Sequence, residues 1–225
     1  MSPRDLARHI DHTLLRADAT AADIRQLCAE AREHHFWSVC VNASRVVLAA
    51  SLLEETDIKV AAVVGFPLGA TDADAKRFET ELVIDLGAQE VDVVLNLGRL
   101  RDGEDRYVLR ELRDVVEAAG GVPVKVILET CLLTQDEKLR ACSLAVEAGA
   151  RFVKTSTGFS TAGATEADVR LMREAVGPKV GVKASGGIRD TATALAMIAA
   201  GASRLGTSAG VGIVRGYQPT GGAGY

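Results

Sequence analysis

Seven of the 26 basic residues are lysines, at positions 59, 76, 125, 138, 154, 179 and 183. Lys125, Lys154, Lys179 and Lys183 fall inside or at the end of short apolar runs, where charge is ordinarily avoided. Asp92 sits in a similar run, Glu90-Val-Asp-Val-Val. An ordinary lysine, with a pKa of ~10.4, is protonated in neutral water and does not attack carbonyls. A neighbouring ammonium and an apolar wall both disfavour its charged form. A lysine so placed adds to a carbonyl as a Schiff base. The iminium withdraws electrons, so the adjacent C–C bond can break while a nearby carboxylate moves the hydroxyl proton. Against this, a lone Lys at a strand end is ordinarily a snorkelling surface residue, and a lone Asp a structural partner. Two lysines ending consecutive runs leave both readings open.

A second constellation suits an anion. Ala184-Ser-Gly-Gly-Ile-Arg189 follows the seventh apolar run and Gly206-Thr-Ser208 follows the eighth, each opening a helical segment. Adjacent glycines let backbone N–H groups approach a phosphate closely at a helix start. A tight strand-to-helix turn would use the same residues.

These groups need a scaffold, and the chain supplies an alternating one. Strand candidates fall at 10–14, 37–41, 59–65, 90–96, 124–129, 151–155, 179–184 and 203–206. Helical runs lie near 20–33, 43–54, 71–86, 104–119, 135–148, 165–176 and 190–200, with a last one after Thr207. Thr20, Thr71, Thr134 and Thr165 read as helix starts, and Gly87, Gly120, Gly149, Gly177 and Gly201 as stops. Eight such repeats imply a parallel sheet covered by helices, either a closed barrel or an open doubly wound sheet. No G-x-G-x-x-G follows the first strand, which removes the commonest dinucleotide-binding open sheet. The expectation is a single (β/α)8 TIM barrel over residues 1–215, with a Gly-rich tail at 216–225. Its active site belongs at the C-terminal strand ends. Alternation places Lys183 with Gly181 and Lys179, with Gly181 leaving room beside the lysine; it places Phe152 with Lys154, and Val94 and Asn96 with Asp92.

Composition excludes several classes. A net charge of −4 argues against a nucleic-acid surface. No apolar run approaches the ~20 residues of a membrane helix, and the charged N-terminus does not read as a signal peptide. Cys28, Cys40, Cys131 and Cys142 form no C-x-x-C pair, so no metal site is expected. A cytoplasmic protein with reduced thiols follows.

The segments Val39-Cys-Val-Asn42, Val64-Gly-Phe-Pro-Leu-Gly69, Glu90-Val-Asp-Val-Val-Leu-Asn96, Val124-Lys-Val-Ile-Leu-Glu-Thr130, Phe152-Val-Lys-Thr-Ser-Thr-Gly158 and Val182-Lys-Ala-Ser-Gly-Gly-Ile-Arg189 resemble deoxyribose-phosphate aldolase, as does the opening Ile10-Asp-His-Thr-Leu-Leu15. The resemblance spans nearly the whole chain. It implies reversible cleavage of 2-deoxy-D-ribose 5-phosphate to acetaldehyde and D-glyceraldehyde 3-phosphate, without cofactor or metal, in nucleoside catabolism. It implies that Lys154 forms the Schiff base, that Lys183 tunes it and joins proton transfer, and that Asp92 is the general acid/base. Lys125 would stand near Asp92, with Thr13, Asn42 and Cys40 lining the pocket. Gly158, Gly186, Gly187, Arg189, Gly206 and Ser208 would hold the phosphate, and the Tyr225 phenol would fold over the pocket and assist proton transfer as a further catalytic group. Phe159 departs from the pattern, because some members carry Lys there. A homodimer is implied, with phosphorylated sugar and aldehydes as the only partners. Another Schiff-base lyase, a phosphosugar isomerase or epimerase, and a non-enzymatic sugar-phosphate binder remain competing readings.

Overall fold

A computed structural model describes residues 1–216 of the chain. Helix starts fall where hydroxyl or carboxylate side chains take up free backbone N–H groups. Thr20 with Asp23 and Thr134 with Glu137 form capping boxes, opening α2 (Ala21–His34) and α7 (Gln135–Glu147). Thr165 caps α8 (Glu166–Val176). At the fourth expected start the cap is Asp72, not Thr71: the Asp72 carboxylate accepts from the Asp74 N–H at 3.0 Å and opens α4 (Ala73–Asp85). The remaining helices are α1 (Pro3–Ala7), α3 (Val46–Leu53), α5 (Leu97–Arg101), α6 (Asp105–Ala118), α9 (Thr191–Ala199) and α10 (Gly210–Arg215). Short α1 and α5 were not expected. Asn96, read as the end of a strand, instead caps α5 by accepting from the Arg99 N–H.

Between the helices run β1 (Ile10–Leu14), β2 (Ser38–Val41), β3 (Lys59–Val64), β4 (Glu90–Val94), β5 (Val124–Ile127), β6 (Phe152–Lys154), β7 (Gly181–Ser185) and β8 (Arg204–Thr207). Each pairs in parallel with its successor, and β8 pairs with β1, so the sheet closes in sequence order. The closed barrel stands and the open sheet is excluded. Lys179 precedes β7 and is exposed, so it does not share the inward face. The Gly-rich tail, apart from Gly216, and Tyr225 lie outside the described residues.

The two faces of the strands divide the chemistry. Outward side chains, among them Val39, Val41, Val60, Val64, Val91, Val93, Val126, Val153, Val182 and Leu205, meet Ile24, Val46, Val83, Leu112 and Met172 from the helices in one continuous apolar core. The inward face is largely polar: Asp11, Ser38, Glu90, Asp92, Lys125, Lys154, Lys183 and Arg204 are all buried there. Only Cys40, Ala61 and Val63, with Leu15 and Phe66, form a small apolar cluster on that side. The lumen is therefore a charged interior inside an apolar sleeve.

Candidate active site

Register sets the lumen residues side by side. Asp92 is the strand partner of Lys125, Lys154 of Lys183, and Lys183 of Arg204. Asp92 lies at the centre of the cluster. Its Oδ1 accepts from Lys125 Nζ at 2.6 Å, and its Oδ2 accepts from both Lys154 Nζ and Lys183 Nζ at 2.8 Å. Burial works against ionising Asp92, but three ammoniums outweigh it and hold the carboxyl well below the usual range.

The other cations have their own second anions. Lys183 Nζ lies 2.5 Å from Asp11 Oδ2, and Lys125 Nζ 2.7 Å from Glu90 Oε2. Burial disfavours both ammoniums, yet Asp11 and Asp92 keep Lys183 charged, and Asp92 and Glu90 keep Lys125 charged. Arg204 joins the two acids from β8, 2.8 Å from Asp11 and 3.3 Å from Glu90. Its guanidinium lies 4.3 Å from the Trp37 ring and 5.3 Å from the Phe152 ring, and Arg8 lies 4.9 Å from the same Trp37 ring. Trp37 Nε1 donates to Glu90 at 2.9 Å.

Above this cluster, at the C-terminal strand ends, lies a cavity of about 330 Å³. Lys154 is the one lumen cation on its wall, among the described residues; Lys125, Lys183 and Arg204 lie behind it. Thr13 and all six residues expected to hold phosphate, Gly158, Gly186, Gly187, Arg189, Gly206 and Ser208, line the same cavity. Gly186 and Gly187 have φ of +85° and +79°, a region that favours glycine. A Cβ on Gly163 would lie 2.2 Å from the Gly186 carbonyl, so the loops after β6 and β7 pack backbone to backbone. Helix α9, which follows this loop, is capped by its own Asp190 carboxylate, which accepts from the Thr193 N–H.

Other expected positions fall differently. Cys40 is fully buried among Leu15, Ala61 and Val63, not on the cavity wall, and burial pushes its thiol up. Asn42 also stands off the wall, and its side-chain amide donates to the Leu15 carbonyl at 3.1 Å, steadying the β1 loop. Gly181 makes room for the Phe152 ring, which a Cβ would meet at 2.2 Å; the space beside Lys183 comes from Gly206, where a Cβ would lie 3.0 Å from Lys183 Cε. Phe159 does line the cavity, more than half exposed, with its ring edge-on to Phe66 at 5.3 Å.

Sequence reasoning did not assign Asp11, Glu90 or Arg204 to the site, nor Arg16, which lines the cavity and pairs with Asp18 at 2.7 Å and Asp23 at 2.5 Å. Glu129 was also unassigned. It sits just past β5 at φ +52°, accepts from the Thr157 N–H at 3.2 Å and from the Thr157 hydroxyl, and so fixes the loop carrying Gly158. A buried amine beside a carboxylate and a second ammonium, opening into a glycine-lined cavity, is equipped for imine chemistry on a small anionic carbonyl compound.

Known proteins share this arrangement of sequence and fold. Residues 6–217 match the model of the DeoC/LacD family aldolase. The deoxyribose-phosphate aldolase of Alkaliphilus oremlandii is 62% identical over 211 residues, 93% of this chain and 95% of that protein. That of Thermococcus gammatolerans is 57% identical over 218 residues, 95% of this chain and 97% of that protein. Among solved structures, the tetrameric deoxyribose phosphate aldolase of Aeropyrum pernix superposes with a TM-score of 0.89 at 37% identity, covering 95% of this chain and 91% of that one. Matched along nearly its whole described length, the chain belongs to the DeoC/LacD aldolase family.

Proposed function

We propose that this protein is a class I aldolase that reversibly cleaves 2-deoxy-D-ribose 5-phosphate to acetaldehyde and D-glyceraldehyde 3-phosphate. The observation that carries the reading is the placement of Lys154: it alone among the lumen cations reaches the cavity, and it shares Asp92 Oδ2 with Lys183. The free amine of Lys154 adds to C1 of the open-chain sugar and water leaves, giving an iminium. Asp92, directly or through water, removes the proton of the C3 hydroxyl. The C2–C3 bond breaks, its electrons pass to the iminium, and D-glyceraldehyde 3-phosphate departs. The proton taken up by Asp92 then passes to C2 of the enamine, relayed by the Lys183 ammonium, which lies between Asp11 and Asp92 and so regains the proton it gives. Hydrolysis of the new iminium releases acetaldehyde and restores Lys154. Gly158, Gly186, Gly187, Gly206 and Ser208 hold the phosphate through backbone N–H groups, with Arg189 at the rim. Thr13 lines the sugar end. Lys125 holds Asp92 from behind.

Borohydride reduction with acetaldehyde, followed by peptide mapping, tests the assignment: the label belongs on Lys154, and a label on Lys183, or on no lysine, refutes it. We also infer a two-fold homodimer, the commonest closed assembly; light scattering decides between that and a tetramer like the Aeropyrum pernix relative. No helix among the described residues is long and apolar enough to cross a membrane. The free thiols fit a cytoplasmic enzyme of nucleoside catabolism.

A further inference from the structure

Charges in the lumen do not balance. Facing Lys154 are Asp92 and Glu90 from β4, Lys125 from β5, Lys183 from β7, Arg204 from β8, Asp11 from β1 and the Cys40 thiol from β2; Arg16 and Arg189 stand at the cavity wall. Among the described residues, Lys125, Lys154, Lys183 and Arg204 within the lumen meet only three carboxylates, Asp11, Glu90 and Asp92. Lys125 and Lys183 each contact two carboxylates, and so does Arg204. Lys154 contacts one oxygen of one carboxylate, shared with Lys183. It is the least compensated cation, and the one from which a proton can reach the cavity.

Arginine keeps its proton in proteins, so whichever lumen group gives one up, it is not Arg204. Arg204 is also held in place, between the Trp37 and Phe152 rings and on two acids. We propose that Arg204 is a positioning residue for the aldol reaction: its permanent charge, at the start of β8 and off the cavity wall, leaves one lysine proton in surplus, and Lys154 is the group that releases it. The Lys154 ammonium passes its proton to water in the cavity, and the freed electron pair makes the new C–N bond to the substrate carbonyl. The inference rests on Lys154 being the imine-forming amine.

The test follows trapping of acetaldehyde by cyanoborohydride against pH, with the label on Lys154 quantified by peptide mapping. Removing a cation with Arg204→Met moves the rising limb upward by about one pH unit, a roughly tenfold loss of trapping at a fixed pH below its midpoint. Arg204→Lys, which keeps the charge, stays near the wild type. Glu90→Gln removes an anion and moves the limb downward, and it carries the test if Arg204→Met fails to fold. A wild type that labels Lys154 while Arg204→Met and Glu90→Gln leave the limb in place, or move it the same way, overturns the role of Arg204. A wild type with no label on Lys154 overturns the reading of the site, and this inference with it.

Discussion

Removing the carboxylate of Glu111 should be among the most damaging single changes outside the lumen. Lys76 of α4 and Glu111 of α6 are both fully buried between helices and barrel, with Lys76 Nζ 2.8 Å from Glu111 Oε1 and 2.9 Å from the Val94 carbonyl. Burial draws the Lys76 ammonium down and the Glu111 carboxyl up, and each partner offsets only part of that. In Glu111→Ala the ammonium keeps one carbonyl and loses the carboxylate in contact with it, with Glu79 left to act at longer range. Breaking such a pair costs about 3–5 kcal/mol. At 2–4 °C per kcal/mol for a chain of this size, the melting temperature falls by roughly 6–20 °C. Replacing both groups, as in Lys76→Met/Glu111→Leu, removes the stranded charge and should recover most of the loss. Urea and thermal unfolding of both single variants and the double at neutral pH give the coupling directly. A Glu111→Ala variant that loses less than about 1 kcal/mol, or a double variant no better than the worse single, would refute the reasoning.

Acid titration should expose the lumen acids. Asp11 and Asp92 are held below their ordinary range, so the stability they contribute is present above ~pH 4 and lost as pH falls further. The gap in urea midpoint between wild type and Asp11→Asn should stay constant above pH ~5 and shrink below pH ~4, and a gap that grows instead contradicts the pairing. Gly187→Ala adds a Cβ at φ +79° in the cup; KM for 2-deoxyribose 5-phosphate should rise about tenfold, while kcat/KM for unphosphorylated 2-deoxyribose changes little. Equal losses with both sugars would detach Gly187 from phosphate binding. Phe159→Lys places a cation on the cavity wall and should improve the phosphorylated-to-unphosphorylated preference by roughly three- to tenfold; an unchanged ratio removes that residue from phosphate selection.

Legibility in the sequence followed how local each signal is. The strands themselves, such as 10–14 and 124–129, were legible because alternation and β-branching are properties of a few neighbours. Lys154, Lys183 and Asp92 were conspicuous as charges inside apolar runs, and their convergence needed only the closed barrel. Glu90 and Arg204 begin their strands, where a solvated end residue looks the same; only closure brings β8 across to β4. Lys76 and Glu111 belong to separate helices, and their meeting depends on how α4 packs on α6. One mark of it was present: Gly65, where a Cβ would lie 2.9 Å from Lys76 Cε. Cys40 misled because its inward direction is correct, while the apolar cluster around it keeps it below the cavity.

The stack of Arg8, Trp37, Arg204 and Phe152 makes the barrel a thimble instead of a tube. With rings and guanidinium plates packed toward the strand starts, the lumen opens, among the described residues, into the cavity at the C-terminal strand ends. In the proposed reaction the mouth that admits the sugar is then also the way out for both products.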